Sequence, residues 1–152
     1  MRILAIDPGT KCGWALDDNG VVVSGVWNLA QRRYQGGGMR FVLLAQNLRD
    51  IGKVDRVYFE EVRRHMGVDA AHIYGGIVAV ITGRCERQGT PYCGIPVGTI
   101  KKLATGKGNA GKDEMVEAAR RLYPDQNVID DNQADALCIL HASKSVENNG
   151  RA

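Results

Sequence analysis

Hydrophobic and polar positions along the chain keep two different rhythms. Alternating or continuous apolar runs rich in β-branched residues fall near 2–7, 12–17 and 20–28 and read as strands, with "DDNG" at 17–20 as the turn between the second and third. So tight a turn makes them an antiparallel meander. The rhythm then lengthens: in "GGGMRFVLLAQNLRDIG", Phe41, Leu44, Ala45, Leu48 and Ile51 recur at helical spacing, and Gly52 stops the helix. "VDRVYFEEV" at 54–62 reads as a fourth strand. From about 69 to 88, Ala70, Tyr74, Ile77, Val78, Ile81 and Cys85 form one apolar stripe of a long helix, in which Gly75 and Gly76 admit the close approach of another backbone. "PYCGIPV" is a short fifth strand, followed by a Lys/Gly-rich segment to which the pattern assigns no element. Two helices close the chain: about 111–123, with Met115, Ala118, Ala119 and Leu122 on one face, and about 131–145.

A three-stranded meander followed by alternating helix and strand predicts a mixed five-stranded sheet flanked by helices, an α/β layer arrangement. Residues 1–145 are expected to form one domain, with "SVENNGRA" ending in a flexible tail at 146–152. The length of 152 residues suits one domain and is short for two.

Composition narrows the classes. Hydrophobic residues make up 44% and charged residues 24%, the balance of a globular protein, and no apolar run approaches the roughly 18 residues that span a bilayer. "MRILAIDPG" lacks the pattern of a secretory signal, so a cytoplasmic location is expected. Cys12, Cys85, Cys93 and Cys138 are scattered without C-x-x-C pairs, which indicates reduced core thiols rather than zinc ligands or disulfides. Net charge is only +3, but residues 98–112, "GTIKKLATGKGNAGK", carry Lys101, Lys102, Lys107 and Lys112 with no acid, leaving the rest of the chain at −1. Arg32, Arg33 and Arg40 surround three glycines, and Arg63 and Arg64 precede His65. One such cluster is ordinarily a solvated face; three, two of them Gly-associated, point toward phosphate contact.

The acids carry the chemistry. Asp7 ends a strand that looks buried on both faces, and "DPGT" then turns the chain sharply. An ionised carboxylate there needs a hydrogen-bonded turn, a cation or a metal. Glu60 and Glu61 end the fourth strand, and alternation sends one to each side of the sheet: Glu60 to the face of Tyr58, Glu61 to that of Val57 and Phe59. Periodicity leaves the choice between them open. In "VIDDNQADALCIL", Asp131 and Asp135 lie one helical turn apart on one face with Asn132 beside them, and Asp130 or Asp131 can cap the helix. Small neighbours, Ala134, Ala136 and Cys138, leave room at Asp135. Two carboxylates about 5 Å apart repel by roughly 3 kcal/mol at an effective dielectric near 20, so a site gathering three needs cations. Oxygen-only ligands suit Mg²⁺ or Mn²⁺, and two such ions about 4 Å apart stabilise both the attacking water and the leaving 3′ oxygen of a phosphodiester.

Taken together, "AIDPGTKCGWA", "FEEV", "IKKLATGKGNAGK" and "DDNQADAL" resemble the RuvC-like Holliday junction resolvases, over residues 2 to about 143 and closer to the shorter phage-type members. The resemblance implies a ribonuclease H-like fold and two Mg²⁺ ions, for which Mn²⁺ can substitute, held by Asp7, Glu60 and Asp135. The family's E-x-V pattern selects Glu60 over Glu61. Many members carry a fourth carboxylate where this chain has Asn132, and Asp131 can serve from the preceding position. The family's two functional lysines, eleven residues apart, fall on Lys101 and Lys112. Lys112 also stands out because a cation at a helix N-terminus opposes the macrodipole. The aromatic wedge of bacterial members is replaced here by Arg63, which suits backbone contact. Lys102, Lys107, Arg64, Arg32 and Arg33 complete the expected DNA-binding set.

What the resemblance implies is a homodimeric, metal-dependent endonuclease that cuts two symmetric strands of a four-way DNA junction, acting in the cytoplasm, that of the host cell if phage-encoded. The helix 69–88 is a candidate dimer interface. The rival readings are a YqgF-like or broader branch- and flap-cutting nuclease, a small-molecule kinase using "DPGT" on phosphates, and a junction-binding protein without cleavage.

Overall fold

The computed structural model describes residues 1–65 and 67–150. Strand β1 (Arg2–Asp7) pairs antiparallel with β2 (Lys11–Asp18), and β2 with β3 (Val21–Asn28). The turn between β2 and β3 is the two-residue loop Asn19-Gly20, both with positive φ, the geometry whose twist matches paired strands. Helix α1 (Met39–Ile51) leads to β4 (Arg56–Glu61), helix α2 (Val68–Gln88) to β5 (Tyr92–Pro96), and both of these strands run parallel to β1. The sheet order is β3-β2-β1-β4-β5, the mixed five-stranded sheet with helices on its faces that the pattern predicts.

Alternation along the strands builds two cores. Leu4, Ile6, Leu16, Val57 and Phe59 pack with Leu44, Leu48, Ile77 and Ile81 of α1 and α2 on one face. Ile3, Ala5, Ala15, Tyr58 and Ile95 point to the other, against α3 (Val97–Thr105), α4 (Lys112–Leu122) and α5 (Asp131–Gly150). Helix α5 is the centre of that second layer, with Ala134, Ala136 to Leu140 and Ala142 all buried.

Four sequence expectations need correction. The Lys/Gly-rich segment contains a helix, α3, because Ile100 and Ala104 are four residues apart and both buried, and Gly106 closes it at φ 84°. The last helix does not stop near 145. It continues to Gly150, and Glu147 accepts a hydrogen bond from the Tyr58 hydroxyl and pairs with Arg56 at 3.3 Å, so residues 146–150 are not a loose tail, while 151–152 lie outside the described residues. Gly76 accommodates the Phe41 ring rather than a backbone, and Gly75 faces open space. Of the cysteines, all free, Cys12, Cys85 and Cys138 are buried but Cys93 on β5 is exposed. No helix among the described residues is long and apolar enough to cross a membrane.

Candidate active site

Strands β1 and β4 are parallel neighbours whose last rung is Ile6↔Phe59, so Asp7 and Glu60 stand one step beyond it at the same end of the sheet. Parity decides which way they point. Asp7 follows Ile3 and Ala5, and Glu60 follows Tyr58, all on the α5 side. Glu61 belongs to the opposite parity and pairs with Arg63 at 3.6 Å. The carboxyl ends of parallel strands are where ligands bind in open α/β sheets.

The third acid arrives on α5, whose first turn is held from three sides. Asp130 Oδ1 accepts the amide of Gln133 at 2.8 Å, capping the helix, while Gln133 Oε1 accepts the amide of Ile129 at 2.9 Å. Gln133 also donates to Ser24 at 3.0 Å, and Ser24 donates to Gln126 at 2.6 Å, a half-buried polar relay that ties the turn to β3. Beneath it lies Gly13, the β2 residue paired with Asp7: a Cβ there would fall 1.9 Å from the carbonyl oxygen of Asn132. Only a residue without a side chain lets the α5 backbone rest on the sheet at that point. Asp131 and Asp135 are thereby brought over the end of β1.

The electrostatics record the crowding. Burial pushes the Asp7 carboxyl well above the usual range, and Glu60, Asp135, Asp131 and Asp130 push it further. Asp135 is raised to about 7 by burial, Glu60 and Asp131, against Lys101 and Lys112. Glu60 is raised by burial and lowered by Lys101. The charge of Lys101, on α3, acts on Glu60 and Asp135 without pairing with either, and Lys112, the first residue of α4, pairs with Asp131 at 3.5 Å. Beside the site lies a cavity of about 400 Å³ lined by Pro8, Gly9, Thr10, Val62, His65 and Tyr74, among others.

Among the described residues no three His, Cys, Asp or Glu side chains converge tightly enough to form a ready-made ion cage, so the acids are near neighbours rather than a closed ligand set. Their chemistry nevertheless fits a hard divalent cation: every candidate donor is a carboxylate or amide oxygen, and the group is partly buried and mutually repelling.

Of the other basic residues, Lys102 is exposed on α3 and Lys107 pairs with Glu114 at 3.4 Å. Arg63 and Arg64 are exposed on the connection after β4, Arg32 and Arg33 on that before α1, where Arg33 lies 5.2 Å over the Tyr34 ring. Sequence reasoning missed Gly13 and the Ser24–Gln126–Gln133 relay. The first had a signal, an isolated glycine inside a strand pattern; the second joins residues over a hundred positions apart and had none.

No family model matches the chain. The crossover junction endodeoxyribonuclease RuvC of Rhodococcus opacus (strain B4) is 30% identical over 171 aligned positions, covering 100% of this chain and 87% of that protein. The chain belongs to the RuvC family of crossover junction endodeoxyribonucleases. A second RuvC, from Synechococcus sp. (strain WH7803), is 30% identical over 91% of this chain and 95% of its own. The solved structure of T. thermophilus RuvC in complex with Holliday junction substrate superimposes with a TM-score of 0.82 at 18% identity, covering 99% of this chain and 96% of that one, and has the same fold. That is the ribonuclease H-like arrangement the motifs imply.

Proposed function

We propose that this chain is a metal-dependent endonuclease that resolves four-way DNA junctions by paired symmetric nicks, as a homodimer in the cytoplasm. The observation that carries the reading is that Asp7, Glu60 and Asp135, from three separated segments, are near and mutually repelling neighbours at one end of the sheet, with Lys101 and Lys112 near them. Its relatives are named for junction cleavage, and the T. thermophilus relative is solved with a Holliday junction substrate.

Asp7, Glu60 and Asp135 would hold two divalent ions, Mg²⁺ or Mn²⁺ in its place, with Asp131 or the Asn132 amide as a further ligand. Bound there, the ions supply charge neutralisation at the scissile phosphate and favour attack by water. The chain's own residues do the rest. The rigid ends of β1 and β4 fix two carboxylates, and the capped start of α5 fixes the third, so the geometry is set before substrate arrives. Lys112 is exposed and held by Asp131, a pair that a phosphate can open, after which its ammonium neutralises the transferring group. Lys101 touches the backbone and restrains the repulsion between Glu60 and Asp135. Lys102, Lys107, Arg63, Arg64, Arg32 and Arg33 meet phosphates of the arms, and their contribution falls with salt.

Two paired incisions require two such sites, hence the dimer. Helix α2 remains the candidate interface, with Val68 and Gly75 exposed on it. The experiment is cleavage of labelled fixed four-way junctions beside flaps and hairpins of the same sequence. Preference for the junction with symmetric cuts supports resolution; equal cutting of flaps replaces it with a general branch nuclease.

A further inference from the structure

Strand β4 outruns β1 at the residue that matters most. Its ladder to β1 ends at Ile6↔Phe59, whereas its ladder to β5 continues through Glu60↔Ile95 to Glu61↔Pro96, so the missing neighbour is on the β1 side. A strand end beyond its last rung leaves backbone donors and acceptors that must find other partners. Here two of them find one atom. The amide of Val62 donates to the Tyr74 hydroxyl at 3.1 Å, and that hydroxyl donates to the carbonyl of Glu60 at 2.8 Å. One phenol thus bridges the two peptide groups on either side of Glu61. It comes from the second turn of α2, and its ring is half-buried with His65 tilted against it, centroids 4.8 Å apart.

We infer that Tyr74 is a positioning residue for the Glu60 carboxylate: it stands in for the missing strand neighbour and anchors to α2 the strand end from which Glu60 projects. The catalytic consequence rests on the endonuclease reading above; the anchoring does not. Tyr74 touches no acid of the site through its side chain bonds, so it acts on Glu60 only through the backbone. Misplacement by about 1 Å of a group fixed for reaction costs on the order of 100-fold in rate.

The test is Tyr74→Phe, which removes the bridging oxygen and keeps the ring. At saturating junction, the single-turnover cleavage rate falls about 10-fold or more, the junction Kd stays within twofold of wild type, and more Mg²⁺ is needed both for half-maximal cleavage and for half-maximal thermal stabilisation. Amide exchange gives the independent measure: Val62 exchanges slowly in the wild type and fast in the variant, while Val57, Tyr58 and Phe59 keep their protection. Wild-type cleavage and Mg²⁺ response in Tyr74→Phe overturn the inference, as does fast Val62 exchange in the wild type, which decides the matter even if the variant does not fold. A wild-type protein that cuts no junction overturns the endonuclease reading instead, and Val62 exchange with the Mg²⁺-dependent thermal shift still reports on the anchor.

Discussion

Substituting Gly13 by alanine adds one methyl group to the point where α5 meets the sheet, and the structure sets the size of the consequence. The new Cβ would lie 1.9 Å from the Asn132 carbonyl oxygen and 2.7 Å from its carbon, both backbone atoms in the first turn of α5. Ordinary contact begins at 3.4 Å, so that turn must move by about 1.5 Å, and no side-chain rotation can absorb it. Overpacking of this kind costs roughly 1–3 kcal/mol, which lowers the Tm of a chain this size by about 2–12 °C. The larger effect is on the site. Asp131 and Asp135 travel with the turn, away from Asp7 and Glu60, and a displacement above 1 Å should reduce cleavage by at least about 100-fold. Thermal unfolding and single-turnover cleavage measured on the same preparations check both numbers. Gly83→Ala is the control: its added methyl meets only the tip of Arg87 at 3.7 Å, inside a helix, so it should raise stability by about 0.5–1 kcal/mol and leave cleavage alone. A Gly13→Ala protein with wild-type Tm and rate refutes the close approach as the device that places α5.

The remaining predictions concern charge. A carboxyl whose folded pKa is raised contributes stability below its unfolded value and loses it as pH rises through the folded one; for Asp135 that window runs from 3.8 to about 7. In EDTA the protein should therefore be less stable at pH 8 than at pH 5, with roughly 1–3 kcal/mol of the difference from this half-buried group, and Asp135→Asn should remove that share in urea titrations while Asp7 and Glu60, also raised, keep the rest. Added Mg²⁺ at about 100 times its Kd should stabilise the wild type by about 2.7 kcal/mol, and Asp7→Asn should show little of this in the same thermal scan. Lys112→Ala should slow cleavage and reduce the slope of log affinity against log salt by about 1, read from junction titrations between 50 and 200 mM salt.

Much of the fold was legible because one-sided burial writes its period into the chain. The strands of both parities, the stripe of α1 and the Asn19-Gly20 turn all follow from local pattern. Helix α3 was not, since its glycine- and lysine-rich surroundings read as a turn segment while only Ile100 and Ala104 anchor it inward. The end of α5 escapes the pattern because its last turns are polar; what holds them is Glu147 reaching Tyr58 and Arg56, contacts about ninety residues apart. At the site, the acids could be named one by one from strand ends and a helix start. Sequence alternation left Glu60 and Glu61 open, and the sheet resolves the parity: Asp7 and Glu60 share the face that α5 covers. The supports were less visible. A glycine under a helix and a tyrosine hydroxyl on a strand end work through backbone atoms, which carry no residue-specific signal.

The central claim is that Asp7 belongs to a carboxylate site that cuts junction DNA with a divalent cation. Cleavage of a labelled four-way junction against linear duplex, in Mg²⁺ or Mn²⁺, by wild type and Asp7→Asn, tests it most directly. The account predicts paired symmetric nicks by the wild type on the junction alone, and none by the variant, which still binds the junction. Binding without cleavage by the wild type in either metal, or undiminished cutting by Asp7→Asn, contradicts it.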